Sequence, residues 1–188
     1  MRGTQSDCLK LAAWPDILAK APTKTRALAK PLSMAAKIIH RFEDSRKTID
    51  TTVTPDALFG LGYGEGWRFL SLEADRATET IRPSAAFRNS YLRKLLGYQE
   101  ILSRRVYQTQ FGLPKFTFYV LTVTTNHARL HSIMRLVEEV VDRDWRRFFL
   151  FKAGPEFGAF ERTPLPTLDL LATPWQRARG EPLDISKS

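Results

Sequence analysis

The stretch "WRFLSLEADRATE" (residues 67–79) decides the fold, because a strand-like apolar run ends here in two carboxylates two residues apart. It follows the run "TVTPDALFGL" (52–61), and the glycine-rich "GYGEG" (62–66) joins the two. Two runs of strand character around a short glycine-rich turn predict a β-hairpin. Alternate side chains of a strand share a face, so Glu73 and Asp75 are predicted to point in the same direction.

Four segments after the hairpin are predicted to alternate between helix and strand. Apolar residues on one broad face predict the helices, while aromatic and β-branched residues predict the strands. In chain order these segments are the helix "FRNSYLRKLLGYQEILSRR" (87–105), the strand "FTFYVLTVTT" (116–125), the helix "NHARLHSIMRLVEEVVD" (126–142), capped by Thr125 or Asn126, and the strand "WRRFFLFKA" (145–153). This order predicts an α/β fold with helices on a mixed sheet.

The first part of the chain is predicted to be helical and basic. Pro31 suits the first turn of a helix, and Met34, Ile38, Ile39 and Phe42 then recur at spacings close to the helical period. The chain is accordingly divided into three parts. They are a helical, basic N-terminal extension (1–50), an α/β core (51–155) and an extended, proline-rich C-terminal tail that packs on the core (156–188).

Composition limits the class of protein. The 188 residues, 43% of them hydrophobic, suffice for one domain with a core. The formal net charge of +9 favours a polyanionic partner, with nucleic acid first and an anionic membrane surface second. No run approaches the roughly 18 apolar residues of a membrane span, the N-terminus lacks the apolar run of a secretion signal, and the single Cys8 cannot form an internal disulfide. These features predict a soluble protein of the cytoplasm.

The carboxylates of the hairpin are the first candidate site. Asp56 opens the strand before the turn, so it is predicted to reach Glu73 and Asp75 across the hairpin. Three buried carboxylates repel one another unless a cation lies among them, and a hard divalent cation such as Mg²⁺ prefers oxygen ligands. The alternative is that Glu73 and Asp75 form ordinary ion pairs with arginines at a solvated strand end. Arg68, Arg76 and Arg82 are the arginines within reach for such pairs.

Lys94 is the second candidate. It lies one turn after Tyr91 and one turn before Tyr98, so the helix places all three side chains on one face. An ammonium beside the carboxylates would orient or polarise an attacking water. The alternative is a surface lysine whose aliphatic stem packs on the helix and whose ammonium is solvated.

Five segments together resemble the replication-relaxation family of plasmid and mobile-element proteins. They are "PDALFGL", "WRFLSLEADRATE", "YLRKLLGYQEIL", "FGLPKFTFYVLTVTT" and "RRFFLFKA", in this order, and they cover most of residues 54–152. The most specific part is E-x-D-R-x-T-E followed by K-L-x-x-Y. Ala77 stands where the family pattern usually has glycine.

The arrangement also resembles a variant of the PD-(D/E)xK nuclease core, which implies a restriction-endonuclease-like mixed sheet flanked by helices. By this resemblance Asp56 and Glu73 match the acids that hold a divalent metal, Mg²⁺ or Mn²⁺. Asp75 occupies the position where that superfamily usually has lysine, and Lys94 on the next helix is the migrated substitute.

The sequence thus predicts a DNA-processing protein of a plasmid, phage or other mobile element that nicks or cleaves DNA with Mg²⁺. Asp56, Glu73 and Asp75 are its predicted metal ligands, and Lys94 completes the predicted catalytic set. The predicted DNA contacts are Arg76, Arg88, Arg93, Arg104 and Arg105. DNA is the predicted partner, together with a separate DNA-binding or replication protein, and no membrane is involved.

Two other classes of function stay open at this point. One is a non-catalytic DNA-binding or assembly factor that keeps the nuclease fold, in which an arginine takes the place of the metal among the carboxylates. The other is an interaction module that binds another protein through its predicted hydrophobic N-terminal helices.

Overall fold

The computed structural model describes residues 10–42, 45–64, 66–75, 80–81, 90–124, 126–154 and 169–187. Seven strands and seven helices are found in these ranges. The strands are β1 (Lys10–Ala13), β2 (Met34–Phe42), β3 (Ser45–Val53), β4 (Ala57–Tyr63), β5 (Gly66–Asp75), β6 (Phe118–Thr124) and β7 (Phe149–Ala153). The helices are α1 (Trp14–Lys20), α2 (Thr23–Arg26), α3 (Tyr91–Ser103), α4 (Val106–Phe111), α5 (His127–Val140), α6 (Arg143–Arg146) and α7 (Asp169–Ala172).

The main sheet is mixed and has five strands in the order β1-β4-β5-β6-β7. The strands β1, β4 and β5 pair antiparallel, whereas β5, β6 and β7 pair parallel. Helix α3 connects β5 to β6, and α5 connects β6 to β7, as parallel neighbours require. The prediction of an α/β fold with helices on a mixed sheet is therefore confirmed.

The predicted hairpin is confirmed as β4 and β5. Leu58 lies opposite Ser71, and pairing continues to Tyr63 opposite Gly66, so the turn is shorter than the sequence suggests. Gly64 in this turn has φ +54°, a left-handed conformation that glycine adopts without strain.

Side-chain caps begin the two long helices. The hydroxyl of Ser90 accepts a hydrogen bond from the backbone N–H of Arg93 at the start of α3, at 3.3 Å. The carboxamide of Asn126 accepts one from the N–H of Arg129 at the start of α5, at 2.8 Å. Of the two predicted caps of the second helix, Asn126 is the one observed.

The predicted helix after Pro31 is wrong. Residues 34–42 form strand β2, which pairs antiparallel with β3 as a second, two-stranded sheet. Met34, Ala36 and Ile38 are buried, while the residues between them are exposed, so the period is two. The apolar positions that suggested a helical stripe fit both periods at this length, and the hairpin partner decides between them. Within residues 10–42 and 45–50, the described part of the N-terminal region, the helices are α1 and α2 only, and β1 joins the main sheet.

Different elements cover the two faces of the main sheet. One face packs against α3, α4 and α5, through residues such as Phe118 and Phe149, and the β2–β3 hairpin packs on α3 and α4. The other face packs against the C-terminal segment, residues 169–187, whose Trp175 and Ile185 are fully buried on Leu70 and its neighbours. We call these the helix face and the tail face.

Gly97 sets how closely α3 approaches the β2–β3 hairpin. A Cβ atom at this position would lie 2.6 Å from Cγ2 of Val53, which is buried. We therefore expect Gly97→Ala to destabilise the fold by about 1 to 3 kcal/mol despite the better helix propensity of alanine. Urea unfolding measures the loss. Val53→Ala in the same chain should recover part of it, and full additivity of the two substitutions would contradict the close approach.

Candidate active site

A row of buried polar side chains crosses the helix face of the sheet near the carboxyl ends of β5 and β6. This polar strip comprises residues of two strands and two helices. The members are Ser71, Glu73 and Asp75 of β5, Thr122 and Thr124 of β6, Tyr91, Lys94 and Tyr98 of α3, and Arg129 of α5. Polar groups buried in this way must be paired within the protein.

Glu73 lies at the centre of the polar strip, with 2% of its surface exposed. Its Oε1 accepts a hydrogen bond from the hydroxyl of Tyr98, which also pairs with Ser71 at 2.7 Å. Its Oε2 lies 2.8 Å from Nζ of Lys94. The helix face predicted from the spacing of the tyrosines and Lys94 therefore points at the acidic strand.

Burial is the largest influence on the pKa of Glu73. Desolvation raises the pKa of Glu73, and the charge of Asp56 raises it further. The ammonium of Lys94 and the hydroxyl of Tyr98 oppose the shift without cancelling it. The pKa of Tyr98 is also raised, by burial first and by the neighbouring Glu73 second, so its hydroxyl stays protonated and donates to the carboxylate.

Asp75 is held by an arginine. Nε and Nη2 of Arg129 contact Oδ2 and Oδ1 of Asp75 at 2.8 and 2.9 Å, a bidentate pair. The hydroxyl of Thr124 donates to Oδ2 as well, at 3.0 Å. Both partners are largely buried, and both carboxylate oxygens are occupied. The carboxylate of Asp75 is thus fully bonded to residues of α5 and β6.

Asp56 lies at the exposed border of the polar strip. It precedes Ala57, which pairs with Leu72, so it lies across from Glu73, and its N–H donates to the carbonyl of Leu72 at 3.0 Å. Its Oδ2 accepts the N–H of Ala74 at 2.8 Å.

An open cleft of about 670 Å³ adjoins Lys94. Strand β3 and the start of α3 form its walls, and Nε of Arg93 donates to the hydroxyl of Thr51 across it, at 3.1 Å. The lining residues are Ala35, Asp50, Thr51, Thr52, Val53, Thr54, Ser90, Arg93 and Lys94. Lys94 is 31% exposed, so its ammonium lies between the buried carboxylate and this cleft.

The predicted site residues fall into four groups, one of which is Asp75 alone, paired with Arg129. The structure brings Asp56, Glu73 and Lys94 together, with Arg93 beside them. Arg104 pairs with Glu100 on the outer side of α3 at 2.7 Å, and Arg105 lies past the end of that helix. Arg76 and Arg88 lie outside the described residues, as does Arg82.

A divalent metal held by all three carboxylates does not fit this arrangement, because Arg129 and Thr124 occupy the oxygens of Asp75. Among the described residues, no group of three or more Asp, Glu, His or Cys side chains is arranged to hold a metal ion. Asp56 and Glu73 lie next to the paired residues Ala57 and Leu72 of the hairpin, and Lys94 lies beside Glu73. Both oxygens of Glu73 are likewise occupied, by the hydroxyl of Tyr98 and the ammonium of Lys94, so a divalent ion would bind at this point only if Lys94 were displaced.

Arg129 was not predicted from the sequence. It lies 54 residues after Asp75, and only the parallel pairing of β5 with β6 brings the start of α5 to the end of β5. The buried threonines at alternate positions of β6, Thr122 and Thr124, are the available signal. Polar residues on the inner face of an otherwise apolar central strand indicate a polar partner.

No protein-family model, no curated protein and no solved structure matches this chain. None of the helices in the described part of the chain is long and apolar enough to cross a lipid bilayer.

Proposed function

We propose that this protein binds DNA and nicks it in a reaction that depends on a divalent metal, with Asp56, Glu73 and Lys94 as the reactive set. One observation carries the proposal: Nζ of Lys94 lies 2.8 Å from Glu73, at the point of the hairpin that Asp56 faces. Two acids on paired strands and a lysine beside them are the groups that hydrolysis of a phosphodiester requires.

The fold supports the same proposal. The order hairpin, helix, parallel strand carries Glu73 near the carboxyl end of β5, and Asp56 at the start of the antiparallel β4 lies at the same edge, where open α/β sheets bind ligands. It is compatible with the restriction-endonuclease-like core that the sequence resembles. The resemblance to replication-relaxation proteins supports a plasmid or other mobile element as the source of the DNA.

Each residue has a distinct proposed role. Asp56 and Glu73 would hold Mg²⁺ or Mn²⁺, which supplies Lewis-acid stabilisation of charge on a phosphate. Lys94 would release the carboxylate of Glu73 and bind the attacking water or a phosphate oxygen on the cleft side instead. Arg93, in the same cleft, would contact the DNA backbone. Asp75 would position the site by fastening β5 to Arg129.

Cleavage of supercoiled plasmid with Mg²⁺ or Mn²⁺ tests the proposal. We expect the parent protein to nick the plasmid, and Glu73→Gln and Asp56→Asn each to lower the rate by about 100-fold, the effect of removing one essential electrostatic group. Glutamine suits the buried position, because burial already disfavours the charged form of Glu73. Asp144→Asn, at an exposed position on α6, is the matched control and should nick at the parent rate.

The outcomes separate the proposal from its rival. Nicking by all four proteins would show a contaminating nuclease. Absence of nicking, with equal retardation of DNA by parent and variants, would refute the enzyme and leave DNA binding.

A non-catalytic DNA-binding or assembly factor is the second candidate. The observation that favours it is the internal pairing of the carboxylates, since Arg129 holds Asp75 and Lys94 holds Glu73. In this case the polar strip braces the sheet against α3 and α5, and the excess of basic residues supplies affinity for the DNA backbone.

A further inference from the structure

A second feature suited to nucleic acid lies at the opposite end of β6. Phe116, two residues before this strand, is 42% exposed. Three cations lie near the centre of its ring: Nζ of Lys115 at 4.7 Å, and Cζ of Arg105 and Arg147 at 5.6 and 5.9 Å. These residues come from the end of α3, the loop before β6 and the loop before β7.

The backbone is strained at this point. Arg105 and Phe116 have φ values of +55° and +61°, and they are the only residues other than glycine with positive φ among those described. A bulky side chain rarely adopts this conformation, and such strain clusters at functional sites. The two strained residues contact each other, so their side chains form one aromatic–cationic surface.

The positive charge of this surface is not neutralised within the described structure. Arg105, Lys115 and Arg147 contact aromatic rings there and form no ion pair with a described acidic residue. Phe148 supports Phe116 from below, with the rings close to parallel and their centres 6.2 Å apart. An exposed ring held in place among uncompensated cations is complementary to a ligand that has both a flat apolar surface and negative charge.

We propose that Phe116 stacks on an unpaired base of single-stranded DNA, with Arg105, Lys115 and Arg147 contacting its phosphates. Stacking on aromatic side chains beside a basic surface is how proteins bind single strands without reading sequence. Bases of an intact duplex are already stacked and cannot reach the ring. The inference rests on the proposed DNA binding and adds the class of DNA, a strand with unpaired bases.

The two sites would act on one strand at separate points. Phe116 lies in the turn before β6, and the strand from Phe118 to Thr122, which is paired with Glu73, spans roughly 13 Å at about 3.3 Å per residue. The stacking surface therefore lies apart from Glu73, and truncation of Phe116 removes no contact of Glu73 or Lys94.

Fluorescence anisotropy with a labelled oligo-dT of about 16 nucleotides tests the inference, beside a duplex of equal length. We expect Phe116→Ala to weaken binding of the single strand about tenfold, the size of one lost stacking contact, without change for the duplex. Phe116→Trp should restore the affinity. Ile39→Ala, which truncates an apolar side chain of similar exposure on β2, should leave both affinities unchanged.

The salt dependence gives a second readout. Lys115→Ala and Arg147→Ala should each reduce the slope of log affinity against log salt by about 0.7 for the single strand. Equal weakening of both DNA forms by Phe116→Ala, or none, would overturn the stacking site although the protein binds DNA. Loss of binding to phosphatidylserine vesicles instead would assign the surface to a membrane. Absence of DNA binding by the parent protein would refute the proposed function itself.

Discussion

Replacing Arg129 with methionine is expected to destabilise the protein by about 3 to 5 kcal/mol, the cost of leaving one partner of a buried ion pair alone. The guanidinium makes two hydrogen bonds to Asp75, at 2.8 and 2.9 Å, and both side chains are largely buried. Methionine fills a similar volume but leaves the carboxylate with Thr124 as its one side-chain partner among the described residues. The pair also joins β5 to α5, so its loss should loosen the whole carboxyl end of the sheet.

Urea unfolding at constant pH measures this effect, and two further variants define it. Arg179→Met removes a surface ion pair with Glu138, and it should cost no more than about 1 kcal/mol. Asp75→Asn in the Arg129→Met background removes the unpaired charge and should restore much of the stability. If Arg129→Met were no more harmful than Arg179→Met, the bidentate pair would not hold the sheet.

Lys94→Met is expected to cost about 3 kcal/mol at pH 8, because it leaves the Glu73 carboxylate buried without its cation. The expected loss is at the lower end of the range for buried pairs, since the lysine is partly exposed and water can approach when it is absent. Glu73→Gln in the same chain should recover most of the stability. Glutamine keeps an acceptor for the hydroxyl of Tyr98.

The loss caused by Lys94→Met should grow with pH. The folded-state pKa of Glu73 already lies above its ordinary value of 4.5, so the folded protein binds more protons than the unfolded chain between the two pKa values. Stability from this group therefore falls as pH rises through that window. Removing Lys94 raises the folded pKa of Glu73 further and widens the window. We expect a smaller loss at pH 5 than at pH 8, and equal losses at the two values would mean that Glu73 does not carry the effect.

The central elements follow from sequence patterns because their local signals and their burial agree. The strands β4 and β5 around a glycine-rich turn, α3 with its apolar face, and the β-branched β6 need no distant partner to be recognised. The spacing of Tyr91, Lys94 and Tyr98 also suffices to put them on one helix face. Helix geometry sets that spacing, and burial of Leu95 and Leu96 turns α3 onto the sheet.

The N-terminal region shows where local pattern fails. The apolar positions of residues 34–42 suit a helix and a strand alike. These residues form a strand because they pair with β3. Close contact with Gly97 of α3 then fixes the hairpin against the core. Neither partner is visible in the nine residues themselves.

The sequence by itself determined the acidic hairpin, the helix that carries Lys94 and the two strands that follow, because each of these is specified by periodicity within its own segment. Only the tertiary structure decided which cation meets which carboxylate. Arg129 reaches Asp75, and Lys94 reaches Glu73, through sheet pairing and helix packing across tens of residues. Charge pairing depends on distance in space, which no local pattern encodes.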